Sequence, residues 1–178
     1  MNLESKRLLL TEISWIDLDA IHRLHSLPEV DEFNTLGIPE NIEETKEIMR
    51  PLIEGQTEAP RKTYTWKITL KESNTFIGLA GMRLSCDKFK LGEIYYKLLP
   101  YHWGKGYATE VSKTLIKTGF EYFHLHKVEA GVATENIKSI KVLEKSGMTR
   151  EGIRRKILPI RGEWIDNYHY AIVEDDPR

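Results

Sequence analysis

The run Leu98-Leu99-Pro100-Tyr101-His102-Trp103-Gly104-Lys105-Gly106-Tyr107-Ala108-Thr109 has residue types and spacing that could do chemistry. A strand-like stretch enters a glycine loop, and the loop opens directly onto a long amphipathic segment, Tyr107–Phe123. The first N–H groups of a helix have no partner inside it and carry the positive end of its dipole. Glycines let such a backbone approach an anion closely, so a phosphate or diphosphate suits this geometry. The same glycines also suit a plain tight turn. Two other phosphate-binding signatures do not match. The NTPase loop needs Ser or Thr after Gly-Lys, where Gly106 stands, and the dinucleotide fingerprint needs a third glycine where Thr109 stands.

Other reactive side chains carry weaker signals. Asn136 and Ser139 are three apart and share a helix face at its first turn; read alone, they are an N-cap and a surface residue. His22 and His25 are three apart without a third ligand, so no metal site is expected. The single cysteine, Cys86, excludes an intramolecular disulfide and multi-cysteine metal sites, and it has no neighbouring catalytic motif.

The elements that must position these groups can be read from periodicity. Arg7–Ile13 reads as a strand and Trp15–Leu27 as a helix capped by Ser14, with Ile16, Ala20, Leu24 and Ile21 inward. Ile42–Gly55 is a further helix entered through Asn41. Tyr64–Leu70, Phe76–Leu84 and Leu91–Leu99 follow as strands, the first two a hairpin. The helix after the glycine loop presents Ala108, Val111, Leu115, Gly119 and Tyr122. Lys127–Thr134 is a strand, and Asn136–Lys145 a helix presenting Ile137, Ile140 and Leu143 and ended by Gly147. Met148–Ile157 and Glu163–Val173 close the chain as strands around a Pro159–Gly162 turn. The order implies an α/β fold with a mixed, largely antiparallel twisted sheet flanked by helices. No linker or repeat divides residues 1–178, so a single domain with its core over about 7–174 is expected.

Lys and Arg number 26 against 27 Asp and Glu, a net charge of −1, which argues against nucleic-acid binding by a basic surface. No signal-peptide stretch or membrane-length apolar run is present, so a cytoplasmic location and no membrane partner are expected.

Tyr101-His102-Trp103-Gly104-Lys105-Gly106 resembles the acyl-coenzyme A loop of the GNAT superfamily of N-acetyltransferases, Gln/Arg-x-x-Gly-x-Gly/Ala, with Tyr101 in place of the first residue. The continuation Trp-Gly-Lys-Gly-Tyr-Ala-Thr-Glu is similar to the ribosomal-protein alanine N-acetyltransferase branch. So are Arg7-Leu8-Leu9-Leu10, Gly92-Glu93-Ile94-Tyr95-Tyr96, and Glu135-Asn136-Ile137-Lys138-Ser139 running on to Leu143-Glu144-Lys145-Ser146-Gly147-Met148. The resemblance implies a GNAT-like sheet in which two parallel strands, Leu91–Leu99 and Lys127–Thr134, splay apart in the middle.

It also implies acetyl transfer from acetyl-coenzyme A, as co-substrate, to a primary amine by direct attack in a ternary complex. Trp103, Gly104, Lys105, Gly106, Tyr107, Ala108 and Thr109 would hold the diphosphate, and Leu98 and Leu99 would pair with pantetheine. One N–H there would polarise the thioester carbonyl. Asn136 would touch pantetheine. Ser139 would protonate the departing thiolate, because the superfamily's tyrosine position is Leu143 here. An inward Glu93 would be the base, with Glu163 a distant second. Deprotonating a lysine at pH 7 costs about 4.6 kcal/mol and an α-amine about 1 kcal/mol, so a site with one carboxylate favours a protein or peptide N-terminus as acceptor. A small-molecule amine, or a non-catalytic acyl-coenzyme A-binding module, is the alternative. Members of the branch are monomers or homodimers.

Overall fold

The computed structural model describes residues 1–177. Strand β1 (Leu3–Glu4), which no sequence pattern announces, folds back on β2 (Leu8–Glu12). Ser14 then starts a single 3-10 turn, Trp15–Asp17, its N–H donating to the Asp17 carboxylate at 2.9 Å. Helix α1 (Leu18–His25) follows, then the short α2 (Pro28–Asp31) and α3 (Ile42–Glu54). The 3-10 turn resets the helical phase. Ile21 and Leu24 are buried as expected, but Ile16, expected inward, is 90% exposed.

Strands β3 (Thr63–Leu70), β4 (Phe76–Leu84) and β5 (Leu91–Leu98) form an antiparallel meander with β2. Helix α4 (Tyr107–Glu121) buries Val111, Leu115, Ile116 and Phe120, and Tyr122 falls outside it and is exposed. Strand β6 (Lys127–Ala133) leads to α5 (Ile137–Lys145), which turns Leu143 into the core and leaves Ile137 exposed, against expectation. The final hairpin, β7 (Thr149–Ile160) and β8 (Glu163–Val173), turns later than expected. Pro159 and Ile160 stay in the edge strand, and the turn is Arg161-Gly162, both with positive φ (51° and 79°).

The eight strands form one sheet in the order β1-β2-β3-β4-β5-β6-β8-β7, antiparallel everywhere except between β5 and β6. That parallel pair joins only at Leu91↔Lys127, Gly92↔Val128 and Glu93↔Glu129, and beyond it the strands diverge into a wedge. Ile94 and Leu98 of β5 and Val128, Ala130 and Val132 of β6 face one side of the sheet and are buried in the main core with α4 and α5 residues. The opposite side carries α1 and α3, whose Ile21, Leu24 and Met49 form a second cluster with Ile13 and Leu79. Among the described residues, no helix is long and apolar enough to cross a membrane.

Candidate active site

The glycine loop joins the wedge to α4. Gly104 and Gly106 have φ of 73° and 80°, a region that disfavours any side chain, and a Cβ on Gly104 would meet nothing. The requirement is therefore conformational, and the space above the loop is open. Gly106 is the N-cap and supplies no side-chain cap, and the first bond inside α4 runs from the Glu110 N–H to the Gly106 carbonyl at 3.1 Å. The amides of Tyr107, Ala108 and Thr109 precede that bond and have no acceptor within the helix. This unsealed helix start, made by two left-handed glycines, fits a diphosphate. The Trp103 N–H does not join it, because it donates to the Pro100 carbonyl at 3.0 Å.

Two residues that sequence reasoning left as flanks hold this loop. The Glu110 carboxylate accepts from the Arg7 Nε, the Arg7 N–H and the Ser5 hydroxyl, each at 2.7 Å. These donors hold Glu110 below the ordinary carboxylate range in spite of its partial burial. Arg7 also donates to the Lys105 carbonyl at 3.0 Å and lies 4.3 Å from the Tyr107 ring centroid. The repeated Arg7-Leu8-Leu9-Leu10 start was the available signal. Tyr101, at the motif's departing first position, is exposed and carries the Lys105 ammonium over its ring at 4.1 Å. Lys138 lies 4.6 Å above the Trp103 ring, so cations flank the loop.

The wedge edge of β5 follows from register. Leu99 donates to Ile77 at 2.8 Å and Ser85 to Leu91 at 2.9 Å, so alternation directs the main-chain groups of Ile94, Tyr96 and Leu98 away from β4, toward β6. β6 has diverged there, which leaves an edge suited to an extended amide chain. The pairing expected at Leu98 and Leu99 is therefore corrected. Leu99 is spent, its N–H on Ile77 and its carbonyl on the His102 N–H at 2.9 Å, while Tyr96 and Leu98 form the edge. The Leu98 carbonyl accepts from Trp103 Nε1 at 2.8 Å, so Leu98 offers its N–H.

On the helix side of the wedge, the Asn136 carboxamide oxygen caps α5 by accepting the Ser139 N–H at 3.1 Å. The Ser139 hydroxyl meets the Tyr96 hydroxyl at 2.8 Å. Burial pushes the Tyr96 phenol up to about 12, which keeps it protonated and able to donate. Sequence reasoning missed Tyr96, and Leu143 is fully in the core.

On the other side, Glu93 occupies the last paired rung, exposed and facing Glu129 across the strands. Glu129, Glu151 and His169 gather beside it, their donor atoms all within 4.8 Å of one another. The Lys127 ammonium reaches Glu151 at 2.7 Å and Glu129 at 3.6 Å, which makes this an ion-pair cluster and not an open ligand set. Glu163 lies at the hairpin tip, exposed. Farther along the wedge, burial lowers Lys97 to about 8 against the pull of Asp31, and lowers the His25 imidazole to about 3. Arg161 of the hairpin turn approaches Asp31 at 3.6 Å and donates to the Pro28 carbonyl at 3.3 Å, tying the hairpin to α2.

A family model described as an acetyltransferase (GNAT) domain matches residues 7–149. YoaA of Bacillus subtilis (strain 168), described as an uncharacterized N-acetyltransferase, is 30% identical over 172 residues, covering 97% of this chain and 96% of that protein. Among solved structures, a ribosomal-protein-S5-alanine acetyltransferase from Vibrio fischeri matches with a TM-score of 0.83 at 22% identity, over 100% of this chain and 99% of that one. A spermidine N-acetyltransferase from Vibrio cholerae, in complex with CoA and spermine, matches with a TM-score of 0.83 at 21% identity, over 97% and 98% of the two chains. These two structural likenesses speak to the fold.

Proposed function

The chain belongs to the GNAT acetyltransferase family and is an acetyl-coenzyme A-dependent N-acetyltransferase, and from that premise we propose that it acetylates the α-amine of a protein or peptide by direct attack in a ternary complex. The observation that carries the reading is the uncapped start of α4 standing at the mouth of the β5–β6 wedge. In this reading the amides of Gly104 through Thr109 bind the diphosphate. Tyr96 and Leu98 pair with pantetheine along the open strand edge. An N–H on that edge, at Ile94 or Tyr96, polarises the thioester carbonyl and stabilises the oxyanion that develops there.

The carbon–sulfur bond breaks as the C–N bond is completed, and the sulfur takes its proton from the Ser139 hydroxyl. Tyr96 orients that donor. In this reading its O–H, held protonated by burial, is the donor of the 2.8 Å pair and Ser139 Oγ the acceptor, which leaves the serine proton free to point elsewhere. Tyr96 thereby stands in for the hydroxyl that Leu143 lacks. Cys86 is exposed in the β4–β5 connection, and among the described residues its thiol has only the Arg61 carbonyl, at 3.7 Å, as a partner, so in this reading no acetylated enzyme forms.

The low cost of deprotonating an α-amine, about 1 kcal/mol at pH 7 against about 4.6 for a lysine, supports the acceptor class. The second reading is a polyamine acceptor, which the carboxylates of Glu93, Glu129 and Glu151 on the acceptor side favour. Thiol release from acetyl-coenzyme A is the test, measured with peptides bearing free N-termini, their blocked counterparts, and spermidine. Release with free N-termini alone supports the proposal. Preference for spermidine replaces the acceptor, and binding of coenzyme A without release under any amine overturns acetyl transfer.

A further inference from the structure

The acceptor face of the wedge holds a more ordered proton acceptor than Glu93, which is exposed and, among the described residues, has no side-chain hydrogen bond or ion pair. His169 on β8 lies directly opposite Gly131 on β6, two residues beyond the last β5–β6 rung. Its ring is largely buried, and its Nε2 lies 3.4 Å from Glu129 Oε1 and 3.9 Å from Glu151 Oε2. Glu129 is also the residue opposite Glu93, so the imidazole sits beside the vertex where the wedge opens.

Gly131 explains how a side chain of β8 can reach across β6. A Cβ there would come within 2.6 Å of the Asn167 carboxamide, so the glycine leaves the space into which Asn167 leans. Asn167 is 7% exposed, and its buried Oδ1 has no hydrogen-bond partner among the described residues. An unpaired acceptor on a side chain that leans over a strand glycine, near an imidazole that faces a carboxylate, supplies what a primary ammonium needs: one group to accept an N–H and one to take the proton.

We infer that His169, held by Glu129, is the base that takes the proton from the acceptor ammonium, on a subsite that Asn167 completes. The inference rests on the acetyl-transfer reading above. One ammonium N–H bond breaks and its proton goes to His169 Nδ1, the ring nitrogen not turned to Glu129. The freed lone pair forms the C–N bond at the thioester carbonyl carbon, and the C–S bond breaks. Ser139 protonates the sulfur and regains its proton through water from the newly acylated nitrogen, so the net proton released is the one on His169. Among the described residues, the charged groups in contact with this imidazole are Glu129 on β6 and Glu151 on β7, both also reached by Lys127; in register, Arg154 on β7 stands opposite Asn167 and Glu93 on β5 opposite Glu129.

The test compares wild type, His169→Gln and Glu129→Gln in thiol release across pH, with coenzyme A binding measured by calorimetry. His169→Gln is expected to lose about a hundredfold or more in kcat at pH 7 while binding coenzyme A as wild type does. The deficit should shrink as pH rises past the acceptor's own pKa, where free amine needs no base. Glu129→Gln should lose about tenfold in kcat with coenzyme A affinity unchanged. A His169→Gln rate within twofold of wild type, or a deficit constant with pH, overturns the assignment. So does abolition of wild-type activity by a chelator, which would make Glu129, Glu151 and His169 metal ligands. If wild type itself releases no thiol with any amine, the acetyl-transfer reading fails instead.

Discussion

The Tyr96–Ser139 contact joins residues 43 positions apart, and it is the smallest feature on which the proposed chemistry turns. If Tyr96 acts only by orienting Ser139, their effects cannot add. Tyr96→Phe is expected to cost about 1–2 kcal/mol in transition-state stabilisation, Ser139→Ala somewhat more, and the double variant no more than Ser139→Ala alone. Steady-state kcat/KM for the three variants checks this, and additive losses would mean that the two hydroxyls work separately.

Lys97 permits a stability prediction of the same scale. Its folded value of about 8 lies below the ordinary lysine value of 10.5, so the unfolded chain binds more protons between them. Stability should therefore rise with pH through that window, and the penalty should be fully present below it. Lys97→Met should stabilise the protein at pH 7 by about 3 kcal/mol, the cost of holding that charge in its buried position. The gain should vanish above pH 10.5. Denaturant melts at pH 7 and 10.5 measure both, and a gain equal at the two would remove burial of the charge as its cause.

At the scale of elements, the loop, β2 and α4 behave as one unit through Arg7 and Glu110. The three donors on the Glu110 carboxylate fix where the helix begins, and with it the direction of its free amides. Glu110→Gln keeps the size but loses the charge-assisted bonds. Coenzyme A affinity is expected to fall about tenfold, at a cost of about 1.4 kcal/mol. Arg7→Lys should fall similarly, since an ammonium cannot span Glu110 and the Lys105 carbonyl as the guanidinium fork does. Calorimetric titration measures both, and unchanged affinity would mean that the loop holds its shape unaided.

Most element boundaries were legible in the sequence because punctuation marks them: Asn41 accepts the Glu44 N–H at the start of α3, and Gly147 takes φ of 90° after α5. Faces were less legible. The stripe through Ile16 failed because a 3-10 turn, with three residues per turn, shifts the phase before α1 begins. The loop was readable from Gly104 and Gly106, but its clamp was not, since Arg7 and Glu110 are 103 positions apart. Leu99 was misassigned for a related reason: which main-chain groups face the wedge depends on register with β4, which no local pattern reveals.

At the scale of the molecule, one sheet separates two approaches to a single gap. α4 and α5 line one side, and α1, α2 and the β7–β8 turn border the other, joined by Arg161 to Pro28 and Asp31. Acyl carrier and amine can then meet at the vertex of the wedge from opposite sides. A ligand filling the wedge would join β5 to β6 beyond Glu93, where among the described residues their pairing has ended, and should stabilise the whole fold. Coenzyme A at about 100 times its dissociation constant is expected to add about 2.7 kcal/mol. ATP and NAD, which lack pantetheine, should add much less. A thermal-shift series compares them, and equal shifts would indicate a general nucleotide site.

A crystal structure of the complex with acetyl-coenzyme A tests the central claim most directly. The diphosphate oxygens should lie within hydrogen-bonding distance of the amides from Gly104 to Thr109, with pantetheine paired along Tyr96 and Leu98 between β5 and β6. A carrier bound on any other surface, leaving the start of α4 free, would contradict the account.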